Sequence, residues 1–189
     1  MWASTKPWSV LLAELARASV FTTPLLIKTR SSEVNALTLD NFDGGIGIVE
    51  MLFRCNILAL VGGGEHPKYP TNKVMLWDDH QQKCIGELTF KEDVLGVRLR
   101  KDKVIVVLEK RIFVYNFSNL NLIDSIDTVS NPTGLCAVSY EDELALIACP
   151  DKEVGRVKVN IYLKDKEEPE TPNVIEAHTS NLAALALNY

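Results

Sequence analysis

The chain is short of most things that would mark a specialised chemistry. Lys and Arg number 20 against 25 Asp and Glu, a net charge of −5. The Lys/Arg-dense surface that drives nucleic-acid binding is therefore missing. No two of the four cysteines stand at C-x-x-C spacing, which excludes a zinc ribbon and a thioredoxin-type motif. No apolar run reaches bilayer length. The N-terminal apolar stretch from Val10 to Phe21 is interrupted by Glu14 and Arg17 and makes a poor secretory core. What remains, 47% hydrophobic and 24% charged residues, is enough to build a packed core and excludes a collagenous, disordered or membrane-embedded chain. Cys55, Cys84, Cys136 and Cys149 all lie among apolar residues and read as reduced, buried thiols of an intracellular protein.

Residues 1–34 differ in texture from the rest. Trp8, Leu11, Leu12, Leu15 and Ala16 fall on one face at helical period, Thr5 suits a cap and Pro7 a first turn. A short amphipathic helix is one reading. Arg17, Lys28 and Arg30 against a single acid leave a transit peptide as the other.

From Val34 onward, short β-rich runs alternate with turn residues. They are 57–61, 73–77, 84–90, 94–99, 104–108, 111–117, 122–126, 135–138, 144–148, 156–162 and 174–175. Three of them align: Val74-Met75-Leu76-Trp77-Asp78, Ile112-Phe113-Val114-Tyr115-Asn116 and Val157-Lys158-Val159-Asn160-Ile161. Their offsets are 38 and 45 positions, each copy follows an apolar strand, and each precedes a polar turn and another strand. This is the four-stranded unit of a WD repeat, whose period is about 40–45 residues, and the first copy carries the Trp-Asp dipeptide. The chain thus predicts an all-β, partial WD40-type β-propeller over 35–189, with blades at about 50–90, 94–127 and 135–178. Residues 35–42 suit the last strand of a preceding blade and 182–189 the first of a following one. Propellers close with about four to eight blades. Three blades leave open edges, so the expectation is a piece of a larger propeller.

The stretches Val49-Glu50-Met51-Leu52-Phe53-Arg54-Cys55-Asn56-Ile57-Leu58-Ala59-Leu60-Val61-Gly62-Gly63-Gly64 and Tyr69-Pro70-Thr71-Asn72-Lys73-Val74-Met75-Leu76-Trp77-Asp78-Asp79 are specific. With Val97-Arg98-Leu99-Arg100, Ile105 to Leu108, Ile112 to Tyr115 and Asn131-Pro132-Thr133-Gly134-Leu135-Cys136, they closely resemble the PROPPIN family, the autophagy-related eighteen and WIPI proteins. Cys84 to Phe90 and Asn116-Phe117-Ser118 look most like its plant members. The resemblance covers residues 35–189 and not 1–34. It implies a seven-bladed propeller that binds phosphatidylinositol 3-phosphate and phosphatidylinositol 3,5-bisphosphate. It also implies a role in autophagosome formation at preautophagosomal, endosomal or vacuolar membranes, and the autophagy-related two lipid-transfer protein as partner. The family's Phe/Leu-Arg-Arg-Gly motif, which serves two phosphoinositide pockets, has no counterpart, because the 189 residues contain no Arg-Arg pair.

Candidate sites follow. The resemblance puts His178, in Ala177-His178-Thr179-Ser180, beside the first phosphoinositide pocket, where imidazole pairs with a phosphate oxygen. The other reading is a turn histidine bonded within its blade. Pro67, Lys68, Tyr69 and Pro70 lie in a proline-stiffened loop that the resemblance assigns to binding autophagy-related two; a solvated hairpin connection is the alternative. Gly62-Gly63-Gly64 lacks the Lys-Ser/Thr and helix of a phosphate loop and reads as a sharp exit from a strand. Asp78, Asp79 and His80 read as a polar turn and not a metal site. Arg98 to Lys103 reads as a strand with one wet face running into a basic turn; a supporting contact to anionic membrane is the other reading. Lys164 to Glu170 reads as an exposed loop. No Ser-His-Asp frame occurs, so the chain is read as a binding module without enzymatic activity, metal or cofactor. A protein-interaction scaffold without lipid binding is the second reading.

Overall fold

The computed structural model describes residues 44–187 apart from Arg54, Asp165, Glu167 and Glu168. The expected N-terminal helix and the strand over 35–42 lie outside these residues. The chain divides into two compact units, residues 1–89 and 90–189. All regular structure among the described residues is β-strand, in three four-stranded antiparallel sheets with strands in sequence order.

The first unit holds β1 (Ile46–Met51), β2 (Ile57–Gly62), β3 (Lys73–Asp78) and β4 (Lys83–Thr89). The sequence reading did not single out β1, because Gly44-Gly45-Ile46-Gly47 looks like a turn. Those glycines are needed by the neighbouring backbone. A Cβ on Gly45 would stand 2.1 Å from the Gly63 carbonyl oxygen, and one on Gly63 2.6 Å from the Gly47 Cα. Alternation along β2 and β3 gives the sheet two apolar faces. Leu58 and Leu60 pair with Trp77 and Met75 on one, while Ala59, Val61, Val74 and Leu76 are buried on the other.

The second unit holds two sheets. One is β5 (Gly96–Leu99), β6 (Lys103–Val107), β7 (Arg111–Asn116) and β8 (Leu122–Asp127). The other is β9 (Ala137–Val138), β10 (Leu144–Pro150), β11 (Arg156–Leu163) and β12 (Asn173–Glu176). They pack through one core: Ile105, Val107, Ile112, Val114 and Ile126 from the first meet Cys136, Val138, Ala145, Ile147, Cys149 and Tyr162 from the second. On the other face of β7, Phe113 and Tyr115 receive the Phe90 ring at centroid distances of 5.5 and 6.2 Å.

The three aligned sequence copies fall on β3, β7 and β11, the third strand of each sheet. The repeat extends to details. The β3–β4 register slips at Trp77 and the β7–β8 register at Tyr115, the equivalent position. One residue on, Asp78 Oδ1 accepts the His80 N–H at 2.9 Å and Asn116 Oδ1 accepts the Ser118 N–H at 2.8 Å. Both are Asx turns that close a hairpin. The Asp of the Trp-Asp dipeptide is therefore a turn cap. It also accepts from Asn56 Nδ2, from the Gln81 N–H and from Gln81 Nε2. Burial opposes its charge, yet these donors outweigh that and hold its carboxyl below the usual range. In the third copy Ile161 takes this position, and β11 runs on to Leu163.

The stretch 98–103 departs from its expected wet face. Arg100 and Lys103 are only 3% and 8% exposed. The Arg100 guanidinium reaches from the β5–β6 turn to the 139–143 connection of the next sheet. It donates to the Ser139 carbonyl, to the Glu141 carbonyl at 2.9 Å and to Asp102 Oδ1 at 2.9 Å. Lys103 Nζ bonds Asp102 Oδ2 at 2.5 Å and stands 5.7 Å from the centre of the Tyr162 ring, whose hydroxyl donates to Asp124 Oδ2 at 2.7 Å. Exposed Lys101 pairs with Asp142 at 2.7 Å. The basic run is a clamp between sheets, and in place of the wet face expected of it Arg100 and Lys103 are buried. The physical reason is that a guanidinium can bridge carbonyls across a buried seam.

Burial disfavours the Asp102 carboxylate, but the bonds from Lys103 and Arg100 win and hold its pKa below the ordinary value. Between that depressed value and about pH 4, the unfolded chain binds the proton that the folded chain refuses. The contribution is complete above the ordinary carboxylate range and is lost as pH falls through the folded value. Urea unfolding should therefore show stability falling from about pH 6 to about pH 3, and a shallower fall in Asp102→Asn. An unchanged slope in that variant would remove Asp102 from the account.

The cysteine expectation holds for half of its members. Cys136 and Cys149 are buried, whereas Cys55 and Cys84 are exposed. Cys55 sits in the turn after β1, and Cys84 lies on β4, the end strand of its sheet, where even apolar Ile85 is 44% exposed.

Candidate functional site

The loop between β2 and β3 is pinned by backbone contacts that only glycine permits. The Gly45 N–H donates to the His66 carbonyl at 2.7 Å. The Gly45 carbonyl accepts from Lys68 N at 3.0 Å and from Gly63 N at 3.2 Å. A Cβ on Gly62 would stand 1.6 Å from the Tyr69 carbonyl oxygen. Lys73 N donates to the Pro70 carbonyl at 3.1 Å, closing the return into β3. Tyr69 packs its half-buried ring on the Leu58–Leu60 face. Burial, then the neighbouring Cys84 thiol, pushes its hydroxyl pKa up. The result is a braced loop that turns Glu65, His66, Pro67 and Pro70 to solvent and keeps Lys68 and Tyr69 half-buried. The Gly62-Gly63-Gly64 run serves this close approach, as the strand-exit reading has it.

His178 belongs to the second unit. It follows β12 outside regular structure and is exposed. The N–H groups of Ala177 and His178 both donate to the Gly155 carbonyl, at 3.1 and 2.9 Å. Gly155 has φ +79°, and a Cβ there would lie 1.9 Å from the His178 carbonyl oxygen. The segment is thus seated on the β10–β11 turn with the imidazole facing water. Nearby, a shallow pocket of about 130 Å³ is lined by residues including Asn131, Leu135, Pro150, Gly155, Arg156 and Asn181. The Arg156 guanidinium is held by Glu153 and Glu176, each at 2.8 Å, which neutralises the cation beside that pocket. The sequence reading missed Gly155 and Arg156; a lone glycine between two strand patterns was their only signal. His178 and the 65–72 loop lie in different units.

Among the described residues no group of three or more His, Cys, Asp or Glu is placed to hold a metal, and no helix is long and apolar enough to cross a membrane. Successive four-stranded antiparallel meanders, two of them with an Asx-capped third strand, define a β-propeller-type fold. The profile of the PROPPIN family matches residues 28–189, and the chain belongs to that family. It is 40% identical over 146 residues to autophagy-related protein 18e of Arabidopsis thaliana, covering 77% of this chain and 38% of that one. It is 35% identical over 147 residues to SVP1-like protein 2 of Schizosaccharomyces pombe, covering 77% and 39%. The chain thus spans about two fifths of the length of these relatives. Among solved structures, Kluyveromyces lactis Hsv2 superposes with a TM-score of 0.60 at 21% identity, over 76% of this chain and 41% of that one. KlAtg21, in its complex with the coiled coil of AgAtg16, does so with 0.56 at 20% identity, over 82% and 46%. These superpositions establish the fold as a partial propeller.

Proposed function

We propose that this chain acts in autophagosome formation as a phosphoinositide-binding WD-repeat module, peripherally associated with preautophagosomal or endosomal and vacuolar membranes from the cytoplasm. Its ligands are phosphatidylinositol 3-phosphate and phosphatidylinositol 3,5-bisphosphate, and no enzymatic step is involved. Family membership supports the reading. The observation that carries it to a residue is His178, whose backbone is fixed on Gly155 while its imidazole stays open to solvent. An imidazole so held donates to a phosphate oxygen at little ordering cost.

A second reading is favoured by the bracing of the 65–72 loop. Pro67, Lys68, Tyr69 and Pro70 form a preorganised docking edge for a protein partner, the autophagy-related two lipid-transfer protein. KlAtg21, with its coiled-coil complex, is a structural neighbour that engages a protein.

Liposome co-sedimentation separates the two. The 189-residue chain should pellet with vesicles containing phosphatidylinositol 3-phosphate and not with phosphatidylinositol-only vesicles. His178→Ala should abolish the difference. Equal pelleting on both vesicle types, or none, would sink the lipid reading for this chain and leave protein docking by the 65–72 loop.

A further inference from the structure

Cys136 and Cys149 are buried thiols that pack in the core of the second unit and that the binding reading does not use. The register of β9 on β10 pairs Ala137 with Ala148 and Val138 with Ile147. Beyond β9, the Ser139 N–H donates to the Leu146 carbonyl at 2.9 Å. That bond marks 139/146 as a hydrogen-bonding position, although the Leu146 N–H goes to Ser139 Oγ, and alternation makes 137/148 the next. Position 138/147, and the next step at 136/149, are non-hydrogen-bonded pairs. β9 itself begins at Ala137, and continuing its register by one residue sets Cys136 opposite Cys149. Residues so opposed have Cα atoms about 4.5 Å apart with side chains on one face, inside the span of roughly 4.4–6.8 Å that a disulfide requires. The packing agrees independently: both thiols belong to one buried cluster with Val138 and Ile147. Burial lifts the Cys149 thiol to about 12, and the adjacent Cys136 adds to that.

The paired ladder ends at Ala137 and Ala148. The next hydrogen-bonding position falls on Pro150, which has no N–H to donate. Leu135 instead turns to Asn131, its N–H donating to Oδ1 at 2.8 Å and its carbonyl accepting from Nδ2 at 3.0 Å. β9 is thus two residues long and lies at the end of its sheet. Short end strands open more readily than central ones.

We propose that Cys136 and Cys149 form a cross-strand dithiol that a hydroperoxide converts to a disulfide when β9 lifts from β10, fastening the 129–135 connection to the end of β10. In the open state one thiol gives its proton to water. The thiolate attacks a peroxide oxygen, the O–O bond breaks, and a sulfenic acid and water result. The second thiolate then attacks that sulfur, the S–S bond forms, and hydroxide leaves to be protonated. Two thiols and one hydrogen peroxide yield one disulfide and two waters, with sulfur oxidised and peroxide reduced by two electrons. In the closed state both thiols sit at about 12 and supply almost no thiolate. Opening of β9 therefore sets the rate. Leu135 and Pro150, which flank the two cysteines, both line the shallow pocket, so closure fixes one of its walls.

The test uses the 189-residue chain carrying Cys55→Ser and Cys84→Ser, which removes the two exposed thiols. It is exposed to hydrogen peroxide in buffer and in urea below the unfolding transition, then denatured, alkylated with N-ethylmaleimide and digested without reductant. Mass spectrometry should find a Cys136–Cys149 linked peptide, with both alkylation sites lost together and restored by dithiothreitol. The yield should rise several-fold in the sub-transition urea. Linkage only above the transition, full alkylation of both thiols, or separate sulfinic acids would overturn the proposal. Should the serine background fail to fold, the same peptide mapping on the unsubstituted chain decides. There, pairing of Cys136 or Cys149 with Cys55 or Cys84 in place of each other would count against it.

Discussion

Replacing Arg100 with alanine is expected to cost the second unit about 3 kcal/mol, read as a lowered urea midpoint at unchanged slope. The side chain is only 4% exposed and meets three acceptors. Its removal leaves the Ser139 and Glu141 carbonyls without the guanidinium donors that hold the 139–143 connection. Asp102 keeps Lys103 but loses half of its neutralisation. Breaking one side of a buried charged network is expensive because the surviving groups keep their desolvation cost and lose the compensation. Lys101→Ala is the control. That residue stands beside Arg100 but is 63% exposed on an exposed partner, and its loss should change stability by less than about 0.5 kcal/mol. Equal effects of the two substitutions would show that the clamp between the sheets contributes nothing.

The second large effect is expected at Gly155. Alanine there must adopt a left-handed backbone at φ +79° and place its Cβ 1.9 Å from the His178 carbonyl oxygen. The conformational part costs about 1 kcal/mol. The overlap drives the 177–180 segment off the turn and breaks two hydrogen bonds of about 1 kcal/mol each. The sum is about 3 kcal/mol in urea unfolding. Limited proteolysis should show new cleavage around residues 177–180. Gly64→Ala is the comparison, since it has φ +85° with nothing near its Cβ and should show the conformational cost alone. Gly155→Ala should also reduce lipid pelleting as His178→Ala does, through displacement of the imidazole and not its removal. A Gly155→Ala chain with native protease resistance would show that the segment has another anchor.

Much of this fold was legible along the chain. The eleven runs assigned to strands lie on strands because period-2 alternation of apolar residues between turn residues has few other solutions. The aligned copies at Val74, Ile112 and Val157 fixed which strand is third in each sheet, and the structure adds the matching bulges at Trp77 and Tyr115. β1 escaped because its glycines look like turn residues until the Gly62-Gly63 backbone is placed against them. The basic run at 98–103 was misread for a related reason. Charge predicts exposure on average, but a guanidinium can be buried where several acceptors converge. Those acceptors come from residues 139 and 141, some forty positions away.

The sequence by itself determined the strand pattern, the repeat and the family, because periodicity and local turn chemistry are properties of neighbouring residues. Only the tertiary structure decided which polar residues hold the sheets together, which glycines admit a passing backbone, and that two cysteines thirteen positions apart share one buried cluster. Each of these depends on what a distant segment brings within a few ångströms, and no window along the chain contains that information.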